Sequence, residues 1–238
     1  MTQMNKRLET IRESERKSHT EIYTKEKLYE TDSWLKKPIK TVQELLPLLS
    51  EKNKLRVLDL GCGVGRNSIY VAKEFADKDC RIDCVDLLPI AIEKLNEYAI
   101  DYGIAHSING IVSAIEDYKI SPGIYDLIMA VSALEHVDGE DSFYRKLQEI
   151  KEGTAPGGVV CLVINSEITE IDINSGERLD PQFEVNLLTE RMQACLSVSF
   201  DGWKVLKSGI SDQEYEIPRG DTVSRLSTRV VTFVAQKI

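Results

Sequence analysis

Residues 57–68 read VLDLGCGVGRNS. An apolar strand pattern runs into three alternating glycines, Gly61, Gly63 and Gly65, and then into a helical pattern. Glycines at that spacing let the chain turn sharply and lie close to a ligand, because no Cβ intrudes. The helix that follows aims its N-terminal amides and positive dipole end at the same spot, which suits an anionic group. A nucleotide-like ligand is the expectation. The dinucleotide fingerprint G-x-G-x-x-G is incomplete, since Arg66 stands at the sixth position. A pyrophosphate needs the third glycine there for close helix–strand approach.

Outward from this loop, strands and helices alternate. LRVLDL (55–60), RIDCVDL (81–87), SINGIV (107–112), YDLIMAVSA (125–133) and GVVCLVIN (158–165) read as five strands. Helices are expected over 67–75, from Pro89 to about Tyr102, and from about Asp141 to Glu152. Proline suits a first helical turn, where its missing amide costs nothing, and Gly103 suits the stop. Near-continuous apolar strands separated by helices indicate a parallel sheet covered on both faces. Residues 166–186 read as a polar loop and 187–196 as a helix. WKVLKSGI (203–210) and TRVVTFVAQK (228–237) read as two late strands flanking a polar connection with Tyr215, Pro218 and Arg219. Residues 1–40 are strongly charged and are expected to form a helical extension or lid; residues 41–238 form the main domain.

A chain of 238 residues suffices for one α/β domain of this type, and 42% apolar residues support a packed core. The formal charge of −9 argues against a general binder of nucleic acid or anionic membrane, since phosphates are repelled. The five cysteines, at 62, 80, 84, 161 and 195, are odd in number and fall partly in apolar strands. That usage suits a reduced, cytoplasmic protein, not a disulfide framework. Cys80 and Cys84 lack a neighbouring histidine pair, so no zinc site is expected. No secretory signal and no transmembrane-length apolar run is present.

Ligands of such sheets bind at the carboxyl ends of the strands, and several chemistry-bearing residues fall there. Asp86 ends the second strand, where a carboxylate accepts bonds from ribose hydroxyls. Ser113, Ala114 and Ile115 follow the third strand and could frame an adenine ring. Val131 and Ser132 follow the fourth, with Glu135 and His136 placed to close the site. His136 is a candidate catalytic residue against the ordinary reading of a structural histidine. Arg66 and Asn67 border the glycine loop, where a guanidinium meets a carboxylate well. Tyr23, Tyr29 and Trp34 are candidate pocket aromatics, with ordinary core packing as the competing account.

From about 55 to 165 the chain resembles the class I S-adenosylmethionine (SAM) methyltransferases. DLGCGVG, the acidic strand end at Asp86, YDLIMAVSALEHV and APGGVVCLVIN carry the resemblance. GCGVGRNSIYVA is similar to the tellurite-resistance methyltransferases, and FEVNLLTERM (183–192) and Gly202-Trp203 fit that layout. The resemblance implies a Rossmann-like, doubly wound, mainly parallel seven-stranded sheet of order 3-2-1-4-5-7-6, its last strand antiparallel. It implies SAM as cofactor, contacted by Asp59, Gly61, Cys62, Gly63, Gly65, Arg66, Asn67, Asp86, Leu87, Ser113, Ala114, Ile115, Val131 and Ser132, without a metal. It implies methyl transfer to a small-molecule acceptor, such as a tellurium or selenium oxyanion or a thiol-like compound. Arg178, Arg191 and Arg219 are candidates to hold an oxyanion. A non-catalytic SAM-binding regulator is the alternative, and a nicotinamide enzyme is disfavoured by Arg66. Oligomeric state is not readable from the chain.

Overall fold

The computed structural model describes residues 3–31, 33–219 and 222–238. At its centre lies β1 (Lys54–Leu60), flanked in parallel by β2 (Asp79–Asp86) and β4 (Tyr125–Val131). β3 (Ile108–Val112) extends one side, and β5 (Thr154–Asp172) the other. β8 (Thr222–Gln236) runs antiparallel beside β5, and β7 (Lys204–Arg219) closes the edge against β8. The order is β3-β2-β1-β4-β5-β8-β7, with the two-residue β6 (Arg178–Leu179) paired to the far end of β5. Apart from that added β6, this is the expected seven-strand order.

The central strands bury both faces, so each divides its residues between two cores. Val57, Ile82, Cys84, Leu127 and Met129 face one core, which α3 (Ser68–Glu74) and α4 (Pro89–Asp101) cover. Leu58, Leu60, Val85, Ile128 and Ala130 face the other, covered by α5 (Glu140–Gly153) and α6 (Thr189–Ser199). Successive side chains of a strand point to opposite faces, so one run of sequence feeds both cores. Each buried leucine, isoleucine or valine contributes about 1.5–3 kcal/mol. In α4, Ala91, Ile92, Leu95 and Ala99 make the buried stripe.

The N-terminal extension folds onto this body. α1 (Gln3–Lys25) crosses the carboxyl ends of the strands, and Tyr23, Leu28 and Leu35 join the α3/α4 core. α2 (Lys40–Leu45) anchors the start of the sheet domain through Val42 and Leu45.

Two expectations need correction. Residues 166–172, expected as polar loop, continue β5, with β6 at 178–179. Residues 211–219 and 222–227, expected as a polar connection, are the outer part of the paired β7 and β8; residues 220–221 lie outside the described residues. The alternation is there, but its inward residues are partly polar. Ser166, Ile168 and Glu170 are all buried. Ser166 Oγ donates to the Arg229 carbonyl at 2.6 Å. Glu170 accepts from Arg219 Nε and Nη2 at 2.7 and 2.8 Å. Polar residues satisfied by a neighbouring strand read as loop in isolation.

Candidate functional site: a crevice over the glycine loop

The glycine loop leaves β1 by a turn fastened to β2. The amides of Gly61 and Cys62 both donate to the Val85 carbonyl, at 2.8 and 3.0 Å. Gly61 takes φ +70°, and a Cβ there would stand 2.4 Å from the Ala133 side chain. Gly65 takes φ +88°, and a Cβ there would meet Leu95 of α4 at 2.4 Å. The first glycine therefore lets the loop approach the turn after β4, and the third lets it pack on α4.

Above the loop lies a crevice of about 890 Å³, a size typical of ligand sites. Its floor includes Gly61, Cys62, Gly63, Arg66, Asn67, Asp86 and Leu87. Ala114, Ile115, Val131, Ser132 and His136 complete the expected residues that line it. Asp59, Gly65 and Ser113 do not line it. Asp59 lies beneath the loop, buried, and accepts from Ser68 Oγ at 2.5 Å. Burial pushes its carboxyl up to about 7, against the Ser68 bond. Ser113 turns its hydroxyl to the Ala114 carbonyl at 3.0 Å. These three shape the walls from behind.

Asp86 is held by two backbone amides: Gly63 N–H donates to Oδ2 at 2.8 Å and Leu88 N–H to Oδ1 at 2.9 Å. Burial raises its carboxyl above the ordinary range, and these two amides oppose the rise. Each oxygen keeps a lone pair for a further donor. Arg66 is half-buried, with its guanidinium 5.2 Å over the Trp34 ring. Among the described residues it has no carboxylate within ion-pair distance, so it is a cation available to an anionic ligand group. Burial lowers its pKa, against the field of Asp59. Cys62 is buried, and burial with the neighbouring Cys84 keeps its thiol well above the ordinary range, an inert thiol. Ser132 takes φ +50° just after β4, with its amide donating to the Val163 carbonyl at 2.7 Å. A left-handed residue without glycine costs about 1–2 kcal/mol, and it turns the chain along the crevice wall.

The sequence points to residues 1–40 as a lid but not to which of their side chains form the roof. Glu15, Ser18, His19 and Ile22 line the crevice from α1, beside Tyr23 and Trp34. Tyr29 does not line it; its hydroxyl donates to the Arg66 carbonyl at 2.8 Å and braces the loop from outside. From the far side come Phe183, Tyr215, Ile217, Leu226 and Val230. The i, i+3, i+4, i+7 spacing of Glu15, Ser18, His19 and Ile22 marks one helix face, but nothing in the chain says what that face covers. Arg178, Arg191 and Arg219 are elsewhere: Arg191 pairs with Glu140 at 2.6 Å, Arg219 with Glu170, and Arg178 sits in β6.

His136 ends the turn after β4. Its Nδ1 lies 3.2 Å from Glu184 Oε2 and 3.4 Å from Glu15 Oε1. Burial lowers its pKa, but Glu15, Glu184 and Glu135 together outweigh that and lift it to about 9.

The comparisons with known proteins fit this geometry. Residues 57–158 match the family described as methyltransferase domain. Over these residues the chain resembles a class I methyltransferase domain, and the cofactor is SAM. Chloroplastic tocopherol O-methyltransferase of Arabidopsis thaliana is 27% identical over 140 residues, covering 58% of this chain and 37% of that protein. Ubiquinone biosynthesis O-methyltransferase of Rickettsia canadensis is 30% identical over 122 residues, covering 51% of this chain and 47% of that protein. The chain thus spans less than half the length of these relatives. The crystal structure of TehB from Haemophilus influenzae superposes with a TM-score of 0.60 at 19% identity, covering 82% of this chain and 62% of that one. At that identity the likeness is one of fold.

The methyltransferase domain's own residues suit the cofactor. Asp86 offers acceptor oxygens of the kind a ribose would meet, Arg66 a counter-charge of the kind a carboxylate would meet, and the loop comes this close to Ala133 only because Gly61 lacks a Cβ.

Proposed function

We propose that the chain methylates a small, largely apolar molecule bearing a nucleophilic oxygen, nitrogen or sulfur, seated between α1 and the β7–β8 hairpin. The observation that carries this reading is the makeup of the crevice beyond the cofactor end. Ile22, Trp34, Phe183, Ile217, Leu226 and Val230 surround it with apolar surface. Two of the curated relatives are O-methyltransferases of small molecules by name, which supports a small-molecule acceptor.

SAM supplies a methyl group already activated on a sulfonium sulfur. The work left to the chain is holding and alignment. Asp86 would take the ribose hydroxyls, Arg66 the carboxylate of the amino-acid tail, and Ala114 and Ile115 the faces of the adenine. Val131 and Ser132 would bring the acceptor to the methyl. Positioning of this kind lowers a barrier by roughly 7–11 kcal/mol. α1 would act as the lid that excludes water. Nδ1 of His136 faces Glu15 and Glu184, so Nε2 is the nitrogen left to meet the acceptor.

A tellurium or selenium oxyanion is less well served. Of the crevice cations, Arg12 is engaged by Glu116, and Arg66 is assigned to the cofactor. The test is a transfer assay with methyl-labelled SAM against phenols, amines, thiols, selenite and tellurite. Label in an apolar acceptor supports the reading; label only in the oxyanions overturns it. Saturable SAM binding without turnover on any acceptor favours a regulatory SAM-binding protein.

A further inference from the structure

The roof of the crevice holds more negative charge than its cations neutralise. Glu15 from α1, His136 from the turn after β4 and Glu184 from the segment before α6 bring one ligand atom each within 4.8 Å of one another. Glu135 lies next to His136, fully buried. Glu116 is engaged by Arg12. Four carboxylates thus face one arginine and one histidine.

The pairing is also incomplete in detail. The Glu184 side chain is 2% exposed, yet among the described residues its Oε1 has no hydrogen-bond partner, and neither has Oε2 of Glu135. Arg12 Nε, itself without a partner among the described residues, stands 3.8 Å from Glu184 Oε1, beyond hydrogen-bond reach. A buried carboxylate oxygen left without a donor is costly, on the order of 1–3 kcal/mol or more.

The spacing suits a metal. Two ligand atoms each about 2.1 Å from one ion stand about 3.0 Å apart at a right angle and about 3.4 Å apart at the tetrahedral angle. His136 Nδ1 is 3.2 Å from Glu184 Oε2 and 3.4 Å from Glu15 Oε1. One imidazole with two carboxylates is a donor set for first-row divalent ions such as Mn²⁺ or Zn²⁺. We propose that Glu15, His136 and Glu184 form a binding site for a divalent first-row metal ion, which ties α1 to the far rim of the crevice. The ion takes the Nδ1 lone pair of His136, and any proton there leaves to solvent. Three protein ligands leave coordination positions open. Glu15 and His136 both line the crevice, so an open position is within reach of an acceptor oxygen or nitrogen. Without the ion, α1 is held at this rim by Arg12, by the Arg7 pair with Asp180 and by apolar contacts.

The test uses the whole chain without SAM, so it stands or falls apart from methyl transfer. MnCl₂ is titrated in, with free Mn²⁺ read by electron paramagnetic resonance. The expected result is saturation at one ion per chain, weakened roughly tenfold or more in Glu184→Gln and in His136→Gln, since even outer-shell changes cost that much. Glu140→Gln, in the surface pair with Arg191, leaves binding unchanged. If Glu184→Gln does not fold, Glu15→Gln takes its place, with circular dichroism checking the fold. On the unmodified chain, substoichiometric Mn²⁺ broadens the imidazole resonances of His136 before those of His106. Absence of saturable binding at millimolar Mn²⁺, equal affinity in the ligand variants, or indiscriminate broadening overturns the proposal.

Discussion

Replacing Asp86 by alanine tests the cofactor pocket at its most loaded point. Its two oxygens hold the amides of Gly63 and Leu88 at 2.8 and 2.9 Å, and their remaining lone pairs face the crevice. A hydrogen bond to a charged group contributes about 1.5–3 kcal/mol net. Two ribose bonds would be lost in the variant, but water entering the vacated space recovers part of that. A net loss of about 2–3 kcal/mol follows, which is roughly 30- to 150-fold in Kd. The loop also loses one of its ties to β2, the Gly63 amide on Asp86, so a lower Tm accompanies the weaker binding. Isothermal titration with SAM measures the first, and circular dichroism melting the second. Asp86→Asn keeps one acceptor oxygen and falls between the two. A folded Asp86→Ala chain that binds SAM with unchanged Kd would refute the assignment of this carboxylate to the ribose.

Three further substitutions probe the supports around it. Gly61→Ala places a methyl 2.4 Å from Ala133 at φ +70°; left-handed strain and overpacking cost about 2–5 kcal/mol together, and a change under about 0.5 kcal/mol in urea unfolding contradicts the loop geometry. Arg12→Ala leaves Glu116 without its cation and Glu184 with His136 alone; the cost falls on α1, so hydrogen exchange in residues 6–25 speeds up roughly tenfold or more while β1 and β4 stay protected, and unchanged exchange contradicts that role. Asp59→Asn removes a carboxyl pushed up to about 7 by burial. At pH values between the unfolded pKa of about 4 and 7, the folded state binds more protons than the unfolded chain, so this group's contribution falls as pH rises. It is intact below pH 4 and gone above 7, with an upper bound of about 4 kcal/mol. The asparagine variant's Tm therefore gains on the parent's from pH 4 to 7 and runs parallel above; a constant difference sinks the argument.

The legible parts of this protein share one property: their cause is local or periodic. The central strands announce themselves because both faces are buried and their inner residues are nearly all apolar. The loop announces itself because only glycine takes φ +70° and +88° at Gly61 and Gly65. Asp86 follows from its place at the end of a strand beside that loop. Asp59, Gly65 and Ser113 belong to the same segments, but which side of the backbone they face depends on what packs there: Ser68, Leu95 and the Ala114 carbonyl. The outer β5 and the hairpin were hidden because Glu170, Arg219 and Ser224 satisfy one another across strands.

By itself, then, the order of residues determined the doubly wound sheet, the cofactor class and the loop that cradles it, since each rests on backbone stereochemistry and strand periodicity. Tertiary structure decided what covers the crevice. Arg12 and Glu15 come from one end of the chain, His136 from its middle, and Phe183, Glu184 and Tyr215 from the far part. No spacing rule joins them, because the contacts that assemble the roof are set by how α1 and the hairpin pack over the sheet.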